Sequence, residues 1–397
     1  MKKISYFKFT NRITGLFLVA GILHMSCQFA SAQNFLYKSV PASFNPSESK
    51  LAKRRLDMKT AMASAFDLTS SLPVNYLRDG SVDYTAVLQN AINNHSSVVF
   101  PDFPIQINQN GLTLKSNSVV CFRENSKLIL RASDKPKYEL LRIHNLSNVT
   151  IYFPNIEGDR KQHIGATGEW GMGISIRGSS DITIVNPKVS GCWGDGIYIA
   201  NSAGQSCKNI NISYAQLDNN RRNGISVVSV DGLNLINPVI SNTNGTNPMA
   251  GIDIEPNDSN DDIKHVKIHD AITFNNGQKG ISLYLVKLLS ANDKLVGISV
   301  VNHFDQYSKS GLTMNGFKEN YIGKKQLSGK IEIINPKWKD NKSPFVNSVS
   351  NDFAPPLVIQ NATVLKTGQN GREVTDNGYM PKLKQLILNK RNINVSN

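Results

Sequence analysis

The densest chemistry in the sequence is Asp253-Ile254-Glu255. A spacing of two puts both carboxylates on one face of a strand, about 7 Å apart between Cα atoms. Like charges that close repel unless they hold a cation, share a proton or face basic groups. Basic groups lie one repeat unit to either side: Arg221 and Arg222 before, Lys279 after. Asp195 opens a strand beside Trp193, where it fits a Gly-Asp-Gly turn as well as a catalytic role. A salt bridge to Arg222 or Lys279 is the plain alternative for either member of the acidic pair.

Three chemistries fit this set. In β-elimination from a uronic acid, Asn223, Asp253 and Glu255 hold Ca2+ against the sugar carboxylate. Lys279 or Arg222 then takes the C5 proton, and Tyr284 or the other cation returns one. In hydrolysis, Asp195, Asp253 and Glu255 divide the acid and base roles. In a binding protein the same aromatics and cations hold sugar without turnover. Elimination is the leading expectation and hydrolysis the alternative. The expected substrate-binding residues are Trp170, Arg177, Trp193, Tyr198, Arg221, Tyr284 and Lys309, since rings stack on sugar faces and cations hold acidic sugars.

These residues are brought together by a repeat. Gly111, Gly173, Gly196, Gly224, Gly251, Gly280 and Gly311 each open an alternating run such as Gly173-Ile174-Ser175-Ile176, and Leu140 fills the long gap after Gly111. Successive starts are 23 to 33 residues apart. A second alternating run begins at Val149, Ile182, Ile210, Leu233, Val266, Val296 and Ile331. Runs of about four residues bury too little by pairing only within their own unit, so the units must stack. The expected fold is all-β, a right-handed parallel β-helix solenoid in which like residues form columns. If the Ile residues point inward, the outward column runs Ser175, Tyr198, Ser226, Asp253, Ser282 and Thr313, and a surface groove follows it.

The open end of a solenoid needs a cap. Asp83 precedes Tyr84, Val87, Leu88, Ala91 and Ile92 at helical spacing, which predicts an N-terminal capping helix. The expected division is a signal peptide over 1–32, an extension without firm pattern over 33–70, the β-helix with its cap over 71–365, and a closing segment over 366–397.

Val82 to Ile92, followed by Val98-Val99-Phe100-Pro101, resembles the opening segment of the pectate lyase and polygalacturonase superfamily. With the repeats, the resemblance covers roughly residues 75 to 365. It implies the β-helix fold and action on polysaccharide, within a superfamily of lyases, hydrolases, epimerases and phage tailspike depolymerases. Asn223, Asp253 and Glu255 resemble the calcium site of the chondroitinase B and alginate lyase group. That group's basic residue follows the acidic pair, where this chain has Pro256, Asn257 and Asp258. Asp195-Gly196 resembles a catalytic position of polygalacturonases, but Asn223-Gly224 stands where their Gly-His-Gly is expected.

Composition bounds the setting. The 397 residues carry a net charge of +14, of which +4 lies in the first 32. Lys2, Lys3, Lys8 and Arg12 precede an apolar run from Ile13 to Met25, and Ala30-Ser31-Ala32 offers a cleavage site. The expected location is therefore secreted, periplasmic or extracellular, after cleavage near Ala32. Basic excess favours an acidic partner, and export points to an acidic polysaccharide or oligosaccharide rather than nucleic acid. No later run is long enough for a transmembrane helix. Cys121, Cys192 and Cys207 remain beyond the signal, too few for a disulfide scaffold.

Overall fold

The computed structural model describes residues 35–349, 352–379, 381–383 and 393–396; the segment 1–32, expected to be a signal peptide, lies outside them. Residues Tyr37–Asn397 form one unit and Met1–Leu36 another, and the solenoid belongs wholly to the former. No described helix is long and apolar enough to cross a membrane.

Among the described residues, the repeats fold into three sheets of nine, twelve and eleven strands, each strand pairing with its equivalent one unit away. Pairing is parallel throughout except at the end of the eleven-stranded sheet, where Thr363–Thr367 meets Glu373–Thr375 antiparallel. The nine-stranded sheet holds the Gly-led runs as β1 (Lys137–His144), β2 (Trp170–Arg177), β3 (Ile197–Ala200), β4 (Asn223–Val227), β5 (Ala250–Ile254), β6 (Lys279–Leu283) and β7 (Ser310–Met314). The second runs build the twelve-stranded sheet. A third, three-residue strand per unit builds the other.

In the nine-stranded sheet, register follows the expected columns without a slip. Ile174, Ile197, Ile225, Ile252, Ile281 and Leu312 pair in succession and fill the bore, all fully buried. Beside them Ser175, Tyr198, Ser226, Asp253, Ser282 and Thr313 pair on the outer face. Alternation forces this result, because a one-residue slip would put the carboxylate column into the bore.

The capping helix α2 spans Thr85–Asn94, so Tyr84 rather than Asp83 takes the cap position. The Asp83 carboxylate still accepts from the Thr85 backbone N–H at 3.0 Å and from its hydroxyl. Leu88, Ala91 and Ile92 are buried on the core, as expected. Gln89 closes the first short strand: its Oε1 accepts from Thr113 N at 2.8 Å and its Nε2 donates to Thr113 O at 3.0 Å. One amide side chain thereby replaces the missing neighbouring strand.

From residue 35, where it is described, the patternless extension packs on the solenoid. Helix α1 (Glu48–Met62) buries only Leu51, and its sequence carries no apolar stripe by which it could be foreseen. Ahead of it the chain forms a strap across four successive units. Tyr37 donates to Asp218 at 2.9 Å, and Lys38 exchanges backbone bonds with the Asn242 amide at 3.0 and 3.1 Å. Phe44 sets its ring edge-on against Phe274 and Phe304.

Cys121, Cys192 and Cys207 are free and buried, and burial raises all three thiol pKa values, Cys121 to about 12 and Cys207 to about 11. A thiol-reactive dye at pH 8 should therefore label none of the three in the folded protein and all three in denaturant.

Candidate functional site

The outer face of β3 to β6 carries the expected carboxylates, but under cover rather than in solvent. Asp195, in the turn before β3, is fully buried and fully bonded. Its Oδ1 accepts from Asn223 N at 3.0 Å, and its Oδ2 accepts from Ser226 Oγ at 2.8 Å and Arg222 at 3.0 Å. Burial raises its pKa, and Arg222 with these bonds opposes the rise. Asp195 thus has no free oxygen for substrate and serves as the fixed counter-ion of Arg222.

Arg222 leaves that pair to reach Glu169 at 3.8 Å and Glu255 at 4.0 Å, with the Trp170 ring 5.6 Å away. Burial alone would lower its pKa, but Asp195, Asp253, Glu169 and Glu255 together raise it. Held by Asp195 and near Glu169 and Glu255, Arg222 is kept a cation, which speaks against the expected role as base.

Asp253 lies within β5 with 2% of its surface exposed. Its Oδ2 accepts from Asn223 Nδ2 at 3.2 Å, while its Oδ1 is buried without a hydrogen-bond partner. Burial, and then the neighbouring Glu255 charge, push its pKa up to about 7 against the pull of Arg222 and Lys279. Glu255, just past the strand, is anchored by its own N–H to Val227 O at 3.0 Å. Its partly exposed carboxylate pairs with Lys287 at 3.7 Å and with Arg222. The two acids therefore occupy unlike environments, one dry and one ion-paired.

Two cavities meet at these acids. The larger, about 520 Å³, is also lined by Gln278, Lys279, Ser282, Tyr284 and Asn315. The smaller, about 250 Å³, is also lined by Trp170, Tyr198, Val228, Asn257 and Lys287. Glu169, Arg222, Asp253 and Glu255 border both.

Other expected site residues are placed differently. Tyr284, Trp170 and Tyr198 line the cavities, and Tyr198 is otherwise buried, with the Arg177 guanidinium 4.5 Å from its ring centre. Arg177 itself is held by Glu139 at 3.0 Å. Trp193 stacks on His163 at 3.8 Å and carries Arg221 at 4.0 Å, and its indole N–H donates to Thr167 O. His163 Nδ1 in turn sits 2.8 Å from Asp159. Trp193 and Arg221 thus pin the segment 158–169 that delivers Glu169 and Trp170, and line neither cavity. Exposed Lys309 also lines neither.

Glu169, Gln278 and Lys287 were not foreseen as site residues. Glu169 adjoins Trp170 in the longest interval of the repeat, and Lys287 follows Tyr284 by three residues in an irregular turn. Neither position belongs to an alternating column. The only signal was the interruption of the rhythm.

The amide of Asn223 tests the calcium expectation. Its Oδ1 accepts from Ala250 N at 3.1 Å, so its NH2 faces Ser226 at 3.0 Å and Asp253 at 3.2 Å. An NH2 group cannot ligate a metal. Ca2+ takes six to eight oxygens, roughly, and what remains is Asp253 Oδ1 and a Glu255 carboxylate already paired with two cations. This donor set does not fit calcium.

Residues 90–261 match the family described as "Right handed beta helix region". The chain resembles the N-terminal fragment of gene product 12 of bacteriophage Phi29, at TM-score 0.55 and 16% identity, covering 82% of this chain and 56% of that one. It also resembles endo-xylogalacturonan hydrolase of Aspergillus tubingensis, at TM-score 0.52 and 11% identity, covering 74% and 84%. The chain is therefore a right-handed parallel β-helix protein. The pectate lyase and polygalacturonase superfamily, to which the opening segment and repeats pointed, has this fold, and the resemblance fits. Among curated proteins, an uncharacterised protein of Bacillus subtilis strain 168, YclG, is 33% identical over 133 residues, 30% of this chain. The chain spans about a quarter of the length of the curated relatives it matches.

Proposed function

We propose that the protein is a glycoside hydrolase acting on an acidic polysaccharide, with Asp253 as general acid and Glu255 as base. The observation that carries this reading is the buried Asp253 carboxyl on the wall of both cavities, its pKa pushed up to about 7 and one oxygen without a hydrogen-bond partner, beside an ion-paired carboxylate. Asp253 gives its proton to the glycosidic oxygen as that bond breaks. Glu255 takes a proton from the water whose oxygen bonds to the anomeric carbon, and proton exchange with solvent restores both groups. Lys279, on the wall of the larger cavity, supplies positive charge for an acidic sugar. Likeness to a hydrolase of xylogalacturonan supports the substrate class by fold alone. The proposed place of action is outside the cytoplasm, on the strength of the export-like N terminus.

Elimination keeps one supporting observation, the Lys279 ammonium on the cavity wall, which can neutralise a uronate without metal. Incubation with a panel of acidic polysaccharides, with and without chelator, separates the readings. Hydrolysis yields reducing ends without the ultraviolet absorbance of unsaturated uronates, and chelator leaves the rate unchanged. That absorbance would replace hydrolysis by elimination, and sugar binding with neither signal would leave a binding protein. Because the acid must hold its proton, kcat/KM should fall tenfold per unit as pH rises beyond about 7.

A further inference from the structure

The two cavities that meet at Asp253 differ in chemistry. On the side of the larger, Lys279 donates to Ser282 at 3.4 Å and, among the described residues, has no carboxylate within ion-pair distance. Arg222 and Lys287 are committed to Asp195 and Glu255, so Lys279 is the cation left for a ligand anion. Around it stand the polar groups of Gln278, Tyr284 and Asn315.

On the other side an apolar cluster lies apart from the bore: Met172, Tyr198, Ala200 and Val228, with the half-buried Trp170 packed against them. The outer face of a solenoid sheet is ordinarily polar, and here Trp170, Tyr198 and Val228 give the smaller cavity an apolar wall on which an apolar ligand group can pack. Tyr198 meets the Trp170 ring edge-on at 6.2 Å and steadies it.

We infer that the cleaved bond joins two unlike sugars: an acidic one held by Lys279, and a neutral one carrying an apolar substituent, an N-acetyl or deoxy methyl group, seated on Trp170. This rests on the hydrolase reading for the position of the bond, while the two sites themselves are defined without it. The polymer is then a heteropolysaccharide with alternating or paired acidic and neutral units, and a homopolymer of uronate fills only one side.

Free monosaccharides test this on the wild-type chain, since they contain no bond to cleave. Galacturonate, N-acetylglucosamine and rhamnose are titrated separately and binding is followed by ligand-observed NMR. Lys279→Met should weaken galacturonate about tenfold and leave the neutral sugars unchanged. Trp170→Ala should weaken N-acetylglucosamine or rhamnose about tenfold and leave galacturonate unchanged, with Trp170→Phe recovering part of the loss. Unchanged galacturonate binding in Trp170→Ala also reports an intact fold. Failure of both neutral sugars to bind, or loss of the same sugar in both variants, overturns the assignment. A chain that releases no reducing ends yet shows the split pattern loses the hydrolase reading alone.

Discussion

Replacing Asp253 by Asn is expected to lower turnover by about a hundred- to ten-thousandfold while making the folded protein more stable at pH 8. Both effects have one origin. The folded pKa of about 7 lies above the ordinary 3.8, so the folded state favours the protonated form. Relative to the unfolded chain, that advantage is fully present below pH 3.8 and is lost as pH rises through 7. Above it, the ionised buried carboxylate costs on the order of 4 kcal/mol. An Asn side chain is neutral at every pH and keeps an oxygen for Asn223 Nδ2. Denaturant melts of both forms should therefore coincide near pH 4 and diverge in favour of the variant at pH 8. Retained turnover removes Asp253 as the acid, and coincident melts at pH 8 remove its burial as the cause of the raised pKa.

Arg222→Met is expected to destabilise the fold by about 3–5 kcal/mol. It leaves Asp195, with no exposed surface, facing only neutral donors. Adding Asp195→Asn should restore most of the loss, because the buried charge goes with its partner. Activity should not return in the double variant, since Glu255 and Glu169 have lost the cation between them. A double-mutant cycle in urea checks the coupling, and additive losses would mean that the two residues stabilise the fold independently. Arg222→Lys should rescue little, as a single ammonium cannot span Asp195, Glu169 and Glu255 at once.

The alternating runs made the solenoid and its register legible, because period-two spacing leaves only one way to bury Ile174, Ile225 and Ile252 together. The same rhythm put Asp253 beside Ser226 and Ser282 in one column. It did not reveal that outward residues end up buried, nor that Glu169, Trp170 and Lys287, which belong to no alternating column, line the cavities beside them. Asp195 illustrates the limit. Its place before a strand fits a turn or an acid, and only the position of Arg222, one unit later, turns it into a counter-ion. Asn223 was legible as a polar neighbour of the pair but not in the direction of its amide, which Ala250 N decides. Trp193 and Arg221 have the residue types of a sugar platform, yet stacking with His163 employs them in holding segment 158–169. Helix α1 left no trace because tertiary anchoring through Leu51, not an apolar stripe, fixes it.

The strap from Tyr37 to Phe44 bears on how such a stack comes apart. Coils joined only to the next coil can peel away singly from a free end. This one is stitched lengthwise at Asp218, Asn242, Phe274 and Phe304, and those four coils go on to supply Arg222, Asp253, Lys279 and Asn315. The stitched stretch therefore opens as a block or stays shut, a splinted wall instead of a spring.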